Sequence, residues 1–283
     1  MPIDPVDLSL GFQTLLFVPG SRMDRVAKAH DSDADVVCID LEDAVPSADK
    51  VSAREDVIAF LDSGATARTA VRINGLRTRE GLQDVLALSA AENSPRIVLV
   101  PMVESAAELE IVSAAFGTKP VSIIPLVETV AGLSSVSEIG RAPRVGNVMF
   151  GGGDMSSQIG VDLAWEPLLY VRSQFVVQCV QAGVRAVDVP FINVKDEAGL
   201  LDETQKAKAL GFAAKGVIHP NQIDTVKRSL TPSAEELERA AAAVSAYREA
   251  GGKAIMHNGM MLDEPIVRRM ESLLMTNEGL KDA

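Results

Sequence analysis

The chain has 283 residues, with 27 lysines and arginines against 39 aspartates and glutamates, a formal net charge of −12. With 47% hydrophobic and 23% charged residues, it has the composition of a globular protein, and disorder, collagen and coiled coil are excluded. The acidic balance argues against nucleic acid or anionic membranes as partners, because both are bound through clustered Lys and Arg. A local basic pocket is still allowed.

No stretch approaches the roughly 18 to 20 apolar residues of a membrane span. The opening MPIDPVDLSLGF lacks the basic and apolar regions of a signal peptide, which points to the cytoplasm. Cys38 and Cys179 lie in apolar surroundings outside any CxxC or Cys/His cluster, and read as buried reduced thiols.

Short β-branched runs recur along the chain: TLLFV (14–18), VVCID (36–40), AVRI (70–73), IVLV (97–100), VSIIP (121–125), NVMF (147–150), AVDV (186–189) and GVIH (216–219). Each is apolar nearly throughout, as strands covered on both faces are, and each is followed by a segment long enough for a crossover helix. Eight such units predict an α/β fold of the (β/α)8 TIM-barrel type. A doubly wound open sheet is the alternative, although no GxGxxG follows any run. Beyond residue 230 the chain continues through TPSAEELERAAAAVSAYREAGG, where Ser233 caps a helix with Glu236 in the capping-box position. The expected organisation is a barrel over 1–230 and a C-terminal helical arm or lid over 231–283, packed on the barrel or on a neighbouring subunit.

In such a barrel the chemistry gathers where strands end. The second run ends in Asp40-Leu41-Glu42-Asp43, the third contains Arg72, the fifth leads to Glu128, the sixth to Gly151-Gly152-Gly153-Asp154 and the eighth to His219-Pro220-Asn221. Glu128 and Asp154 are one β/α unit apart, and two carboxylates with water suit Mg²⁺ or Mn²⁺. Each also stands where an acid caps the next helix. Arg72, an arginine inside an apolar strand, either binds a carboxylate or oxyanion in the barrel mouth or forms a buried ion pair with Asp40 or Glu42. Arg22, Arg25 and Lys28 recur every third residue after the first strand, as a phosphate-binding patch or a solvated helix face. His219 reads as a strand-end residue with a local hydrogen bond, and His30 and His257 as surface residues.

Taken together, LFVPGSR, IDLEDAV, VRING, PLVET, GGGD, KGVIHPNQI and MLDEP, in this order, resemble the citrate lyase β-subunit and malyl-CoA and citramalyl-CoA lyase group of the HpcH/HpaI aldolase superfamily. The resemblance implies a Mg²⁺-dependent (or Mn²⁺-dependent) lyase of the TIM-barrel fold that acts on a coenzyme A thioester. It would cleave a 3-hydroxyacyl-CoA into acetyl-CoA or propionyl-CoA and a 2-oxo acid. It makes Glu128 and Asp154 the metal ligands, Glu42 and Asp43 acids around the metal waters, and Arg72 the substrate-binding arginine. Phe17, Arg22, Lys28, Gly153, Ile218 and His219 match acyl-CoA contacts. Asp263, in MLDEP, matches an acid–base aspartate supplied by an adjacent subunit, so the resemblance also implies a homo-oligomer, a trimer or hexamer. Asp263 equally reads as the cap of the final helix, with Pro265 in its first turn. Four rivals stay open: a malyl-CoA-type thioesterase, a citryl-thioester lyase β-subunit, a pyruvate-type aldolase without coenzyme A and a non-enzymatic acyl-CoA sensor. β-subunits working on a carrier protein typically lack the distal arm, and pyruvate-type aldolases typically carry an early histidine base where this chain has Glu42-Asp43.

Overall fold

The computed structural model describes residues 11–64 and 67–281. The opening residues 1–10, read above as part of a start without signal peptide, lie outside the described residues. Eight parallel strands close into a barrel in sequence order: β1 (Thr14–Pro19), β2 (Val36–Asp40), β3 (Thr69–Arg72), β4 (Ile97–Val100), β5 (Ser122–Val127), β6 (Asn147–Phe150), β7 (Arg185–Asp188) and β8 (Ala214–Val217). The expected runs locate all eight strands. The last is shifted two residues toward the N-terminus, because Pro220 cannot donate to a ladder and His219 already caps the short turn after it. The connections carry α1 (Met23–His30), α2 (Lys50–Asp62), α3 (Arg79–Ala90), α4 (Ala106–Phe116), α5 (Val130–Ser134), α6 (Val136–Ile139), α7 (Gly152–Ile159), α8 (Trp165–Ala182), α9 (Glu197–Leu210) and α10 (Ile223–Leu230). The fold is a (β/α)8 TIM barrel.

The two-residue period of a strand sorts the barrel into layers. Leu15, Val36, Cys38, Ala70, Ile97, Leu99, Ile124, Leu126, Met149, Val187 and Ala214 form one buried interior cluster, with Phe17 packed against it. The alternate residues, among them Leu16, Val37, Val71, Val98, Ile123 and Val148, are buried as well, which is why the runs are apolar on both faces. Continuing the inward parity by one step brings Cys38 to Asp40, Ala70 to Arg72, Leu126 to Glu128 and Met149 to Gly151. The polar mouth is therefore the last layer of the barrel interior.

One ion cluster, buried but for the partly exposed Glu203, belongs to the frame. Asp188 of β7 pairs in register with Lys215 of β8. Lys215 Nζ donates to Asp188 Oδ2 at 2.6 Å, to Glu203 Oε1 at 2.8 Å and to the Val189 carbonyl at 2.8 Å. Arg172 Nε donates to Asp188 Oδ1 at 3.2 Å, and its guanidinium lies over the rings of Trp165 and Phe150 at 4.9 and 5.3 Å. Burial pushes the Asp188 carboxyl up, but the two cations outweigh it and hold it below its ordinary range.

The chain divides into two compact units, Met1–Lys227 and Arg228–Ala283. In the second, Ser233 and Glu236 form the expected capping box on α11 (Ala234–Glu249), and Gly251 and Gly252 follow with positive φ. The remainder is not all helical, as the arm was expected to be. β9 (Ile255–His257) and β10 (Met260–Leu262) form a hairpin, because Asn258 and Gly259 both adopt the positive φ that a two-residue primed turn requires. Then α12 (Glu264–Lys281) packs Val267 and Met270, together with Leu262, against Ala240, Ala243 and Val244 of α11. Asp263 caps α12, its Oδ1 accepting from Ile266 N at 3.2 Å. Met256, Met260 and Met261 stay exposed. Both cysteines are free and buried, as expected. His30 departs from expectation: it is half-buried, its ring 5.3 Å from that of Phe60, because α1 packs it toward α2. His257 is also half-buried. No helix among the described residues is long and apolar enough to cross a membrane.

Removing the shared anion would leave buried Arg172 without its carboxylate and Lys215 with Glu203 alone. Asp188→Ala is therefore expected to lower stability by about 3–5 kcal/mol, read as a shift of the barrel's urea midpoint. A shift below about 1 kcal/mol would show that the cluster is not part of the frame.

Candidate active site

A cavity of about 540 Å³ opens at the C-terminal end of the strands. Its polar lining comes from Asp40, Asp43, Arg72, Glu128 and Asp154, with Arg25 of α1, and its apolar lining includes Phe17, Leu126, Met149, Leu163 and Val189. Asp40 and Arg72 are register partners on adjacent strands, so their pairing is dictated by the sheet. Arg72 Nε and Nη2 donate to the two Asp40 oxygens at 2.7 and 2.6 Å, while Nη1 lies 3.0 Å from Glu42 Oε2 and 3.6 Å from Asp43 Oδ2. The ion-pair reading of Arg72 is thus realised, and the same residue faces the cavity. Burial acts to lower its basicity, but the Asp40 hydrogen bonds and the three negative charges prevail and raise it.

The loop after β2 is fixed from both sides. Asp40 accepts from the Glu42 and Ala44 amides at 2.9 and 3.2 Å. Lys50 Nζ donates to the Leu41 and Glu42 carbonyls at 3.0 and 2.9 Å and to Asn74 Oδ1 at 2.5 Å. Asn74 is held in turn by buried Asp84, which pairs with Arg54 at 2.5 Å. Glu42 sits behind the cavity wall. Burial pushes its carboxyl up to about 8 despite Arg72, with Glu128, Asp43 and Asp40 adding to the rise.

Glu128 stands at the end of β5, buried, with Oε2 accepting from Met102 N at 2.8 Å. Met102 holds that amide in place from a left-handed backbone, φ 56°. The Glu128 side chain lies across Gly151, where a Cβ would come within 2.0 Å of Glu128 Cγ, so this position needs glycine. Burial raises the Glu128 carboxyl to about 7; Met102 N and Arg72 oppose the rise, and Asp154 and Asp43 reinforce it. Asp154 lies in the first turn of α7, exposed to the cavity. Thr129, rather than Glu128, caps α5.

A hydrated divalent cation fits these residues. Among the described residues, Glu128 Oε1 and both Asp154 oxygens accept no hydrogen bond, the Glu42 Oε2 contact with Arg72 falls short of hydrogen-bond geometry, and negative charge is in excess. No group of three or more His, Cys, Asp or Glu forms a complete protein cage among the described residues. Two carboxylates with water are the donor set that Mg²⁺ accepts.

The structure brings Phe17, Arg72, Gly153, Ile218, Glu128, Asp154 and Asp43 to one cavity, with Glu42 behind it. Arg22, Lys28 and His219 do not line it. Arg22 is bound by Asp24 at 2.9 Å through two hydrogen bonds, Lys28 is exposed on α1, and His219 Nδ1 accepts from Asn221 N at 3.2 Å, the local bond expected of it. The cation of that patch which does reach the cavity is Arg25. Lys50 and the Met102 amide were not singled out by sequence reasoning, since one acts through backbone carbonyls and the other through a backbone conformation.

Two outcomes test this geometry. Gly151→Ala is expected to displace Glu128 and weaken Mg²⁺ binding by at least ~10-fold in titration calorimetry, with the circular dichroism spectrum retained. In metal-free protein, folding lifts the Glu128 carboxyl from 4.5 to about 7, so the folded state binds the extra proton and this group's contribution to stability falls as pH rises across that interval. Mg²⁺ affinity, which needs the ionised carboxylate, rises over the same interval; an affinity that is flat from about pH 5 to about pH 8 would remove Glu128 from the ligand set.

Residues 13–220 match the HpcH/HpaI aldolase/citrate lyase family model. The chain is 30% identical to the mitochondrial citramalyl-CoA lyase of Homo sapiens, over 95% of this chain and 86% of that protein. It is 32% identical to a (3S)-malyl-CoA thioesterase of Cereibacter sphaeroides, over 84% of each chain. Among solved structures, it is similar to Mycobacterium tuberculosis protein CitE in complex with magnesium, acetoacetate and coenzyme A. That match has a TM-score of 0.82 and 32% identity, and covers 95% of this chain and 99% of the other. A match over most of the barrel, in the order of the motifs that build its mouth, places this chain in the HpcH/HpaI aldolase/citrate lyase family.

Proposed function

We propose that the protein is a Mg²⁺-dependent carbon–carbon lyase. It cleaves a 3-hydroxyacyl-CoA that carries a carboxylate on the carbinol carbon, of the citramalyl-CoA or malyl-CoA type, into acetyl-CoA and a 2-oxo acid. The observation that carries this reading is the pair Glu128 and Asp154, short of hydrogen-bond donors, beside Arg72 at the mouth of a cavity with an apolar floor. The substrates named for the relatives above support the thioester part.

Glu128 and Asp154 would hold the cation, with Glu42 and Asp43 accepting from its waters; Mn²⁺ offers the same hard, oxygen-preferring acid. When bound, the cation supplies Lewis-acid polarisation of the substrate hydroxyl and carboxylate and of the carbonyl that forms. Arg72, fixed by Asp40, adds positive charge beside the developing oxyanion without needing to reorganise. In cleavage the hydroxyl proton passes to the Asp43 carboxylate, which lines the cavity, the bond between the carbinol carbon and the thioester α-carbon breaks, and its electron pair stays on the α-carbon as a thioester enolate. Asp263 of an adjacent copy, in a trimer or hexamer, returns a proton to that carbon and removes it in synthesis. Phe17, Arg22, Lys28, Gly153 and the Ile218-His219 segment would receive coenzyme A, with Arg25 beside them.

The test is a Mg²⁺-loaded assay on a panel of malyl-, citramalyl-, methylmalyl- and citryl-CoA with all products identified. Release of a 2-oxo acid with acetyl-CoA is expected. Release of free coenzyme A and the intact hydroxy acid would make the protein a thioesterase instead. Asp154→Ala should lose Mg²⁺ affinity and at least ~10³-fold in kcat, and Asp263→Asn should lose a similar factor with substrate binding nearly intact. Mixed under subunit exchange, the two variants should regain activity. No recovery despite demonstrated exchange would sink the shared site.

A further inference from the structure

Asp43 reaches the cavity with little to hold it there. Its side chain is 73% exposed, and among the described residues its one ion pair, to Arg72 Nη1, spans 3.6 Å. An exposed carboxylate with so loose a partner gains little order from it. Where the Asp43 carboxylate stands is therefore decided by the backbone of the loop after β2.

Lys50 governs that backbone. The peptide unit between Leu41 and Glu42 is held at both ends, its amide by Asp40 Oδ1 at 2.9 Å and its carbonyl by Lys50 Nζ at 3.0 Å. The next unit leads into Asp43, and the same ammonium holds its carbonyl at 2.9 Å. Asn74 Oδ1 takes the third bond at 2.5 Å, so an ammonium with three donors meets three acceptors. Asn74 is fixed in turn. Buried Asp84 Oδ2 accepts from its backbone amide and from its side chain at 2.8 and 2.7 Å. A Cβ on Gly81 would come within 2.2 Å of the Gly75 carbonyl oxygen, so α3 is pressed directly onto this loop. Lys50 itself does not line the cavity.

From this we infer that Lys50 is a positioning residue for Asp43. Its ammonium fastens the two peptide units around Glu42 to the Asn74–Asp84 anchor, and thereby sets where the Asp43 carboxylate stands in the cavity. This rests on the lyase reading above for what Asp43 does there, which is to take the substrate's hydroxyl proton. Lys50 acts through the backbone and touches no reacting atom. A guanidinium is no substitute, because its planar fork spreads its donors where three acceptors converge on one nitrogen.

The experiment combines Lys50→Met with Asp43→Asn in a double-mutant cycle on the Mg²⁺-loaded protein. In parallel, amide hydrogen exchange over residues 41–44 is followed in the wild type and in Lys50→Met without substrate. Lys50→Met should lower kcat at least ~10-fold while the acyl-CoA KM stays within about 3-fold. Asp43→Asn should then cost at least ~10-fold less in the Lys50→Met background than in the wild type, because a misplaced carboxylate has little left to lose. Exchange at the Glu42 and Ala44 amides should quicken at least ~10-fold. Lys50→Cys alkylated to aminoethylcysteine should recover kcat, Cys38 and Cys179 being buried away from the reagent, whereas Lys50→Arg should not. Should Lys50→Met fail to fold, Lys50→Arg, which keeps the charge, takes its place in the cycle. Costs that simply multiply, or unchanged exchange at Glu42 and Ala44, would overturn the inference. Wild-type protein that cleaves no acyl-CoA would overturn the lyase reading alone, since the exchange at Glu42 and Ala44 still decides whether Lys50 places Asp43.

Discussion

A side chain in a parallel barrel must point either into the bore or toward the helices, and the choice alternates with every residue. That constraint organises this protein. The bore has to be filled, so its positions are Leu, Ile, Val, Cys, Ala and Met until the strands run out. At the last inward position there is nothing above to pack against, and the same parity can carry Asp40, Arg72 and Glu128. The polar layer therefore sits on an apolar floor, and its groups are aimed by strand register rather than by loop conformation. Asp40 faces Arg72 because β2 and β3 are neighbours in register.

Electrostatics then follow from crowding. One guanidinium is set among Asp40, Glu42 and Asp43, with Glu128 and Asp154 close by, and the negative charge is not balanced by protein groups alone. Burial and mutual repulsion lift Glu42 to about 8 and Glu128 to about 7. A low-dielectric floor strengthens each of these interactions, and would equally strengthen the attraction of a divalent cation placed between the carboxylates. The loop after β2 cannot relax to relieve the strain, since Lys50 and Asp40 hold its backbone from opposite sides.

The strands were legible because burial on both faces leaves a continuous apolar run, and the cavity lining of the candidate site was legible because acids stand where those runs stop. Glu128 and Asp154 announced themselves by spacing, and Arg72 by the cost of an arginine inside a strand. What the sequence did not disclose depends on three-dimensional closure or on backbone shape. Lys50 looks like any helix-start lysine until its ammonium is seen beneath the Leu41 and Glu42 carbonyls. Arg25 is indistinguishable from Arg22 and Lys28 by spacing, yet of the three it alone lines the cavity, while Asp24 engages Arg22. The hairpin Ile255–Leu262 was hidden among methionines with little strand preference; its Asn-Gly turn was the signal, and the neighbouring helical pattern outweighed it.

The barrel contains two ion clusters made of the same residue types, and their balance separates their roles. Asp188, Glu203, Lys215 and Arg172 carry two charges of each sign, are buried except for a partly exposed Glu203, and direct donors onto one another, onto the Val189 carbonyl or over the Trp165 and Phe150 rings. Such a cluster has no use for an outside charge, and it braces β7, β8 and the helices behind them. The cluster at the mouth has the opposite arithmetic, with acceptors that lack donors and a cavity in front of them. A buried network whose charges balance stabilises, whereas one left short of a cation in a concave site is poised to bind it. The brace also touches the site: Lys215 holds the Val189 carbonyl and Arg172 lies over Phe150, and both Val189 and Phe150 line the cavity. The apolar wall of the cavity is thus positioned by a charge-balanced network directly behind it.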